Sequence, residues 1–236
     1  MSEFLLVHGS CHGAWCWRDL IPELERLGHG ARAIDLPGHG DAPSPIEEIT
    51  LERYADAILD AIEAPVILVG HSMAGFPISA AAEKDPARVA RLVYLCAYAP
   101  RDGLSLVDMR QEAPRQPLLA AIDKTPDGLG FTFRDDKLRE ALYHDCPDGT
   151  VEFARDRLCV QPIRPQATPI RLGAHYAGVP KSYIRCTEDR AIPPEYQHSM
   201  TQGWPEADVF DMPLSHSPFF ADAQGLARLL DRIARG

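Results

Sequence analysis

Apolar residues gather in short runs at Glu3–His8, Ala31–Leu36, Pro65–Gly70, Arg91–Ala97, Lys181–Cys186 and Ala207–Asp211. These runs are too short for helices, and several are rich in β-branched or aromatic side chains, so each predicts a strand. Between them the apolar positions recur at helical spacing over Trp17–Leu27, Leu51–Ile62 with Thr50 as N-cap, Met73–Glu83 and Phe219–Ala234. Strand alternating with helix, the strands apolar almost throughout, predicts a mainly parallel six-stranded sheet covered by helices on both faces. The alternation breaks once. From about Arg101 to Ala174, Pro, Asp and Arg are scattered among Leu and Phe, with short helical pieces around Asp135–His144 and Thr150–Cys159. This segment is expected to be a small, mostly helical cap inserted after the fourth strand. The chain 1–236 is then one domain, with a core of 1–100 and 175–236 and a cap of 101–174.

Composition narrows the function. At 236 residues and 45% hydrophobic, the chain can bury a full globular core without staples. Twenty-four basic against 34 acidic side chains give a net charge of −10 with no basic stripe, which argues against nucleic acid as a partner. No apolar run approaches the roughly 20 residues needed to span a bilayer, so no membrane partner is expected. The amino terminus lacks a basic region followed by a cleavable apolar segment, and a cytoplasmic location is expected. Cys11, Cys16, Cys96, Cys146, Cys159 and Cys186 are an even number, but two of them fall inside strand candidates and a core of this size does not need disulfides. They are read as free thiols. A homodimer is compatible with the composition but not required by it.

The stretch VGHSMAGFP at residues 69–77 carries the first chemical signal. Ser72 follows a buried strand candidate and precedes a helix rich in small residues, the strand–turn–helix setting of a nucleophile elbow. Such a turn forces the nucleophile into a strained backbone, and the residues two places either side must be small. Gly70 and Ala74 satisfy this, although the second glycine of G-x-S-x-G arrives one place late, at Gly75. An oxygen nucleophile needs an anion hole, and the small-residue loop after the first strand, His8-Gly9-Ser10, offers the Ser10 N–H beside the Met73 N–H at the start of the elbow helix. Of nine histidines, His216 stands in the loop after the last strand, at the sheet edge where Ser72 is displayed. The carboxylate that would hold its tautomer is Asp189, after the fifth strand, with Glu188 and Asp211 as rivals. Ser, Asp, His is the chain order of an α/β-hydrolase. Candidates for an apolar substrate pocket are Gly9, Cys11, Phe76, Leu104, Phe131, Phe153 and Phe219, with Leu106, Met109, Phe133 and Phe220 as further apolar residues of the same regions.

Four blocks, LLVHGSCHGAWCW, VILVGHSMAG, CTEDRAIPPEYQ and SHSPFF, together resemble the α/β-hydrolases related to plant methylesterases and hydroxynitrile lyases, including bacterial esterases of that group. The likeness covers both ends of the chain well and the cap poorly. It implies an α/β-hydrolase fold, a triad of Ser72, Asp189 and His216, oxyanion donors at Ser10 and Met73, no cofactor, and a small ester, often with an aromatic acyl part, as substrate. The lyases of that group typically place a threonine beside the first-strand histidine and a lysine directly after the catalytic histidine. Gly9 and Ser217 stand there instead, which favours hydrolysis. A haloalkane dehalogenase would carry aspartate at position 72. A ligand-binding receptor on the same fold is the reading from another class, and it is told apart by the absence of turnover.

Overall fold

The computed structural model describes all 236 residues. Nine strands form: β1 (Glu3–Val7), β2 (Gly30–Ile34), β3 (Val66–His71), β4 (Val89–Leu95), β5 (Ile122–Lys124), β6 (Gly130–Phe133), β7 (Gln161–Pro162), β8 (Lys181–Cys186) and β9 (Val209–Met212). Six of them make the main sheet in the order β2-β1-β3-β4-β8-β9, and every neighbouring pair is parallel. These are the six strands expected from the apolar runs, with ends that agree to within two residues.

Alternation along the strands sorts their side chains between two cores. Leu5, Val7, Leu68, Leu92, Tyr94 and Tyr183 face one side, where they pack with Tyr54 and Ile58 of the helix Leu51–Asp60 and Ile78 and Ala81 of the helix Gly75–Lys84. Phe4, Leu6, Ile67, Val69, Val93 and Ile184 face the other, against Leu20 and Leu24 of the helix Leu20–Arg26 and Leu226, Leu230 and Ile233 of the helix Ala223–Arg235. Two covered faces explain why the strands read as continuous apolar runs. The caps follow from side-chain chemistry: Thr50 accepts from Arg53 N–H at 3.1 Å, and Asp222 accepts from Gly225 N–H at 2.8 Å. No helix is long and apolar enough to cross a membrane. All six cysteines are free.

The insertion between β4 and β8 adds a small sheet to the expected, mostly helical cap. It has the short helices Leu106–Glu112, Leu138–Leu142, Thr150–Arg155 and Arg164–Ala167, but also an antiparallel sheet β5-β6-β7. That sheet pairs strands of three, four and two residues drawn from across the insertion, too short to leave a period in the sequence. A helix at Ala174–Gly178 joins the insertion back to the core: its Tyr176 N–H donates to Glu83 at the end of the elbow helix (2.8 Å).

The chain order places the site. From β1 the chain moves outward to β2 and then returns to the other side of β1 with β3, so the loops after β1 and β3 diverge at the carboxyl edge of the sheet. A crevice opens at such a point.

Candidate active site

β3 is buried along its whole length and ends at His71; the next residue, Ser72, has φ of +56°, in the left-handed region that a residue with a side chain enters only under constraint. The constraint is close packing of strand on helix. A Cβ on Gly70 would lie 2.7 Å from Ile78 Cδ1 and 2.9 Å from the Ala74 carbonyl oxygen. A Cβ on Gly75 would lie 1.9 Å from the carbonyl oxygen of Tyr98, a backbone atom held by the Tyr98 N–H donating to the Ser72 carbonyl (3.1 Å). The displaced glycine of the motif is therefore the one that packs against the loop after β4, and the Ala74 methyl is accommodated in the core.

Ser72 Oγ is 3.0 Å from His216 Nε2, and His216 Nδ1 is 2.8 Å from Asp189 Oδ2. With Nδ1–H donated to the carboxylate, Nε2 is left to accept from the serine. Asp189 is buried and its oxygens are fully engaged: Oδ1 accepts from the N–H groups of Ala191 (2.6 Å) and Ile192 (3.0 Å), Oδ2 also from Gln197 Nε2 (2.9 Å). The rivals lie elsewhere. Glu188 is exposed, and Asp211 forms a two-pronged pair with Arg185 at 2.6 and 2.9 Å.

Behind the pair stands His71. Its Nε2–H donates to the His216 carbonyl (2.8 Å), its ring lies 4.6 Å from that of His216, and Phe219 packs edge-on against it at 5.0 Å. Burial, with the His216 and His12 imidazoles beside it, holds the His71 pKa well below the usual histidine value, so it is neutral.

The loop after β1 is pinned largely from the insertion. Ser10 Oγ accepts from Gln166 Nε2 (2.9 Å), Cys11 N–H donates to Gln161 Oε1 (3.3 Å), and Cys159 N–H donates to the Cys11 carbonyl (2.9 Å). His12 joins the same framework, with Nδ1–H to the Ser10 carbonyl (2.7 Å) and Nε2 accepting from the Tyr143 hydroxyl (2.6 Å). Burial lowers the His12 pKa to about 4. Cys11 has φ of +61°, the tight turn that this route requires.

Ser10, Ser72, Met73 and His216 open onto one cavity, whose empty volume is about 550 Å³ with its solvent-open mouth included. Met73 stands in the first turn of a helix, where N–H groups have no intrahelical acceptor. The apolar walls are Leu106, Leu118, Ile122, Phe131, Phe133 and Leu142, all from the insertion; His12, Tyr98, Arg110 and Gln166 add polar groups.

Of the expected pocket residues Phe131 lines this cavity, and so do Leu106 and Phe133. The others are placed elsewhere. Phe76, Leu104 and Met109 belong to the core on the Leu51–Asp60 side, and Phe219 is wedged between His71 and Trp17. Phe153 and Phe220 pack together and with Trp15, the Arg18 guanidinium lying 3.6 Å over the Phe153 ring. The Cys11 thiol faces the Phe131 carbonyl (3.7 Å). Gly9 has no room for a side chain, since a Cβ there would be 2.6 Å from His71 Nδ1 and 3.0 Å from Ser72 Cβ. Sequence reasoning missed His12, Tyr98, Arg110, Tyr143 and Gln166, because only the folded insertion brings most of them to the site.

The family model described as the alpha/beta hydrolase family matches residues 4–229. The chain belongs to the α/β-hydrolase family. Within it, this hydrolase is 33% identical to Methylesterase 1 of Arabidopsis thaliana over 257 residues, and 32% identical to Methylesterase 7 of the same plant over 250 residues. Each match covers 99% of this chain and 96% of the relative. Among solved structures, a pyrethroid hydrolase from Sphingobium faniae JZ-2 superposes with a TM-score of 0.89 at 26% identity, covering 100% of this chain and 98% of that one. Polyneuridine aldehyde esterase shares the fold with a TM-score of 0.87 at 24% identity, over 99% of both chains. The hydrolase is thus of the esterase type.

Proposed function

We propose that this hydrolase cleaves small carboxylic esters with an apolar or aromatic acyl part through an acyl-enzyme on Ser72. The observation that carries the proposal is the relay from Ser72 through His216 to Asp189, set at the floor of a cavity with apolar walls. In the first step Ser72 Oγ bonds to the ester carbonyl carbon as His216 Nε2 takes the hydroxyl proton, and the N–H groups of Ser10 and Met73 receive the oxyanion. The carbon–oxygen bond to the alcohol then breaks, with His216 returning its proton to the leaving oxygen. Water repeats the sequence on the acyl-enzyme: His216 accepts a water proton, the acid is released, and Ser72 regains its hydrogen. Asp189 fixes the imidazole and stabilises its charged form throughout.

Hydrolysis is favoured over cyanohydrin cleavage by two positions. Gly9 cannot accept a side chain without displacing His71, and Ser217, directly after His216, is buried outside the cavity lining. Neither position offers a group to a departing cyanide. The free thiols fit a reducing, cytoplasmic setting.

The test is a panel of aryl, alkyl and methyl esters with wild type and Ser72→Ala. Ser72→Ala is expected to keep its fold by circular dichroism and lose on the order of 10⁴- to 10⁶-fold in kcat. Turnover that survives in Ser72→Ala, or cyanide release from mandelonitrile that Ser72→Ala abolishes, would overturn the proposal.

A further inference from the structure

Arg110 stands on the helix Leu106–Glu112 and lines the cavity that holds Ser72. Its Nε is buried and meets no acceptor. Arg110 as a whole is half-buried, so its charge keeps some contact with solvent, but a buried guanidinium N–H without an acceptor is rare in folded proteins and calls for a reason. The chain had carboxylates to offer nearby but uses them elsewhere. Asp108, two residues before it, accepts from the N–H and hydroxyl of Ser105 (2.9 and 2.7 Å), and Glu112, two residues after, pairs with Arg101.

None of the 15 residues lining the cavity is acidic. Tyr98, Arg110 and Leu118 also line a second, smaller cavity beside it, and no acidic residue borders that one either. There the other arginine, Arg115, is paired two-pronged with Glu195 (2.6 and 3.1 Å). The guanidinium of Arg110 lies near enough to the Tyr98 phenol to favour its ionised form, although burial dominates and pushes that group up. A protein with a net charge of −10 thus keeps a half-buried arginine that pairs with no carboxylate, with a phenol beside it, on the wall of an otherwise mostly apolar cavity. A guanidinium fork is matched in shape and charge by a planar carboxylate.

We propose that the substrate is an ester carrying a second, free carboxylate, a half-ester of a dicarboxylic acid, and that Arg110 with Tyr98 binds this carboxylate while Ser72 attacks the ester. The assignment rests on the esterase reading of the same site. Arg110 is a specificity-determining residue; the ester chemistry stays with Ser72, His216 and Asp189. The apolar walls formed by Leu106, Phe131 and Phe133 would enclose the hydrocarbon spacer between the two carboxyl groups.

The experiment uses matched pairs: methyl half-esters of succinic, adipic and benzene-1,4-dicarboxylic acid, each against the uncharged ester in which a methyl group replaces the free carboxylate. The readout is the ratio of kcat/KM within a pair, for wild type, Arg110→Gln and Arg110→Lys. The wild type is expected to favour the half-ester in at least one pair. Arg110→Gln should lower that ratio on the order of 10- to 100-fold, and Arg110→Lys should restore part of it. A wild type that hydrolyses the uncharged partner better in every pair, or a ratio that Arg110→Gln leaves unmoved, overturns the assignment. A second measurement separates it from the esterase reading. Calorimetric titration of Ser72→Ala with the same half-esters, with and without Arg110→Gln, reads carboxylate recognition in the absence of turnover. Binding that depends on Arg110 supports the assignment even if no ester is cleaved; equal binding by the two variants removes it even if esters are cleaved.

Discussion

At the scale of single residues, the elbow shows which departures from a motif matter. Residue 74 accepts a methyl group because the core has space for it, whereas residue 75 faces the Tyr98 carbonyl and has none. Gly75→Ala must push apart two backbone segments tied by the Tyr98–Ser72 hydrogen bond. It is expected to lower the unfolding free energy by about 2 kcal/mol, in the range of core overpacking, and to reduce kcat by moving Ser72. Urea unfolding of Gly75→Ala beside Ala74→Gly checks this, and a Gly75→Ala midpoint equal to wild type would show that the helix start yields freely. Asp189 makes the second case. Each of its four hydrogen bonds is accepted, so an amide there must turn a donor toward Ala191, Ile192, Gln197 or His216. Asp189→Asn should cut kcat on the order of 10⁴-fold with a smaller effect on KM, because it selects the wrong imidazole tautomer. Steady-state kinetics on one aryl ester decides it.

At the scale of elements, core and insertion differ in how much their sequence reveals. The six core strands are buried on both faces, so each announces itself as an apolar run, and Ser72, Asp189 and His216 are legible because each follows a strand at the same edge of the sheet. The walls of the cavity are not legible in this way. Phe76 and Phe219 look like lining residues in one dimension, yet each turns into a core, while Ile122, Gln161 and Gln166 reach the site or its loop through pairings between short, distant segments. The insertion does more than roof the cavity. Gln166 and Tyr143 hold the Ser10 loop, directly at the Ser10 hydroxyl and indirectly through His12. A loosened loop presents the Ser10 N–H less well to the oxyanion, and loss of a whole donor costs roughly 10²- to 10³-fold. Gln166→Leu should therefore lower kcat by about 10-fold while leaving the melting temperature close to wild type. A loss confined to KM would mean that Gln166 contacts the substrate and does not position the loop.

At the scale of the whole molecule, the site and its supports place four buried imidazoles, His8, His12, His39 and His71, around the first turns after β1, β2 and β3. Burial lowers the pKa of each, outweighing the hydrogen bonds that favour protonation, among them His12 to the Ser10 carbonyl and His39 to Gln161. In the unfolded chain the same groups titrate near about 6.5. Between the two values the unfolded state binds more protons than the folded one, so stability is full above the unfolded pKa and is lost as the pH falls toward the folded pKa. For His12 the window runs from about 6.5 down to about 4, worth about 3 kcal/mol at its lower end, and burial moves His8 and His71 in the same direction. Urea midpoints measured at intervals from pH 7 to pH 4 should fall steadily, and His12→Gln should flatten the fall between pH 6.5 and 4. An identical slope in His12→Gln would show that His12 is not held neutral by burial. The same measurement guards the kinetics, since turnover lost on acidification reports on the active site only over the range in which the protein is still folded.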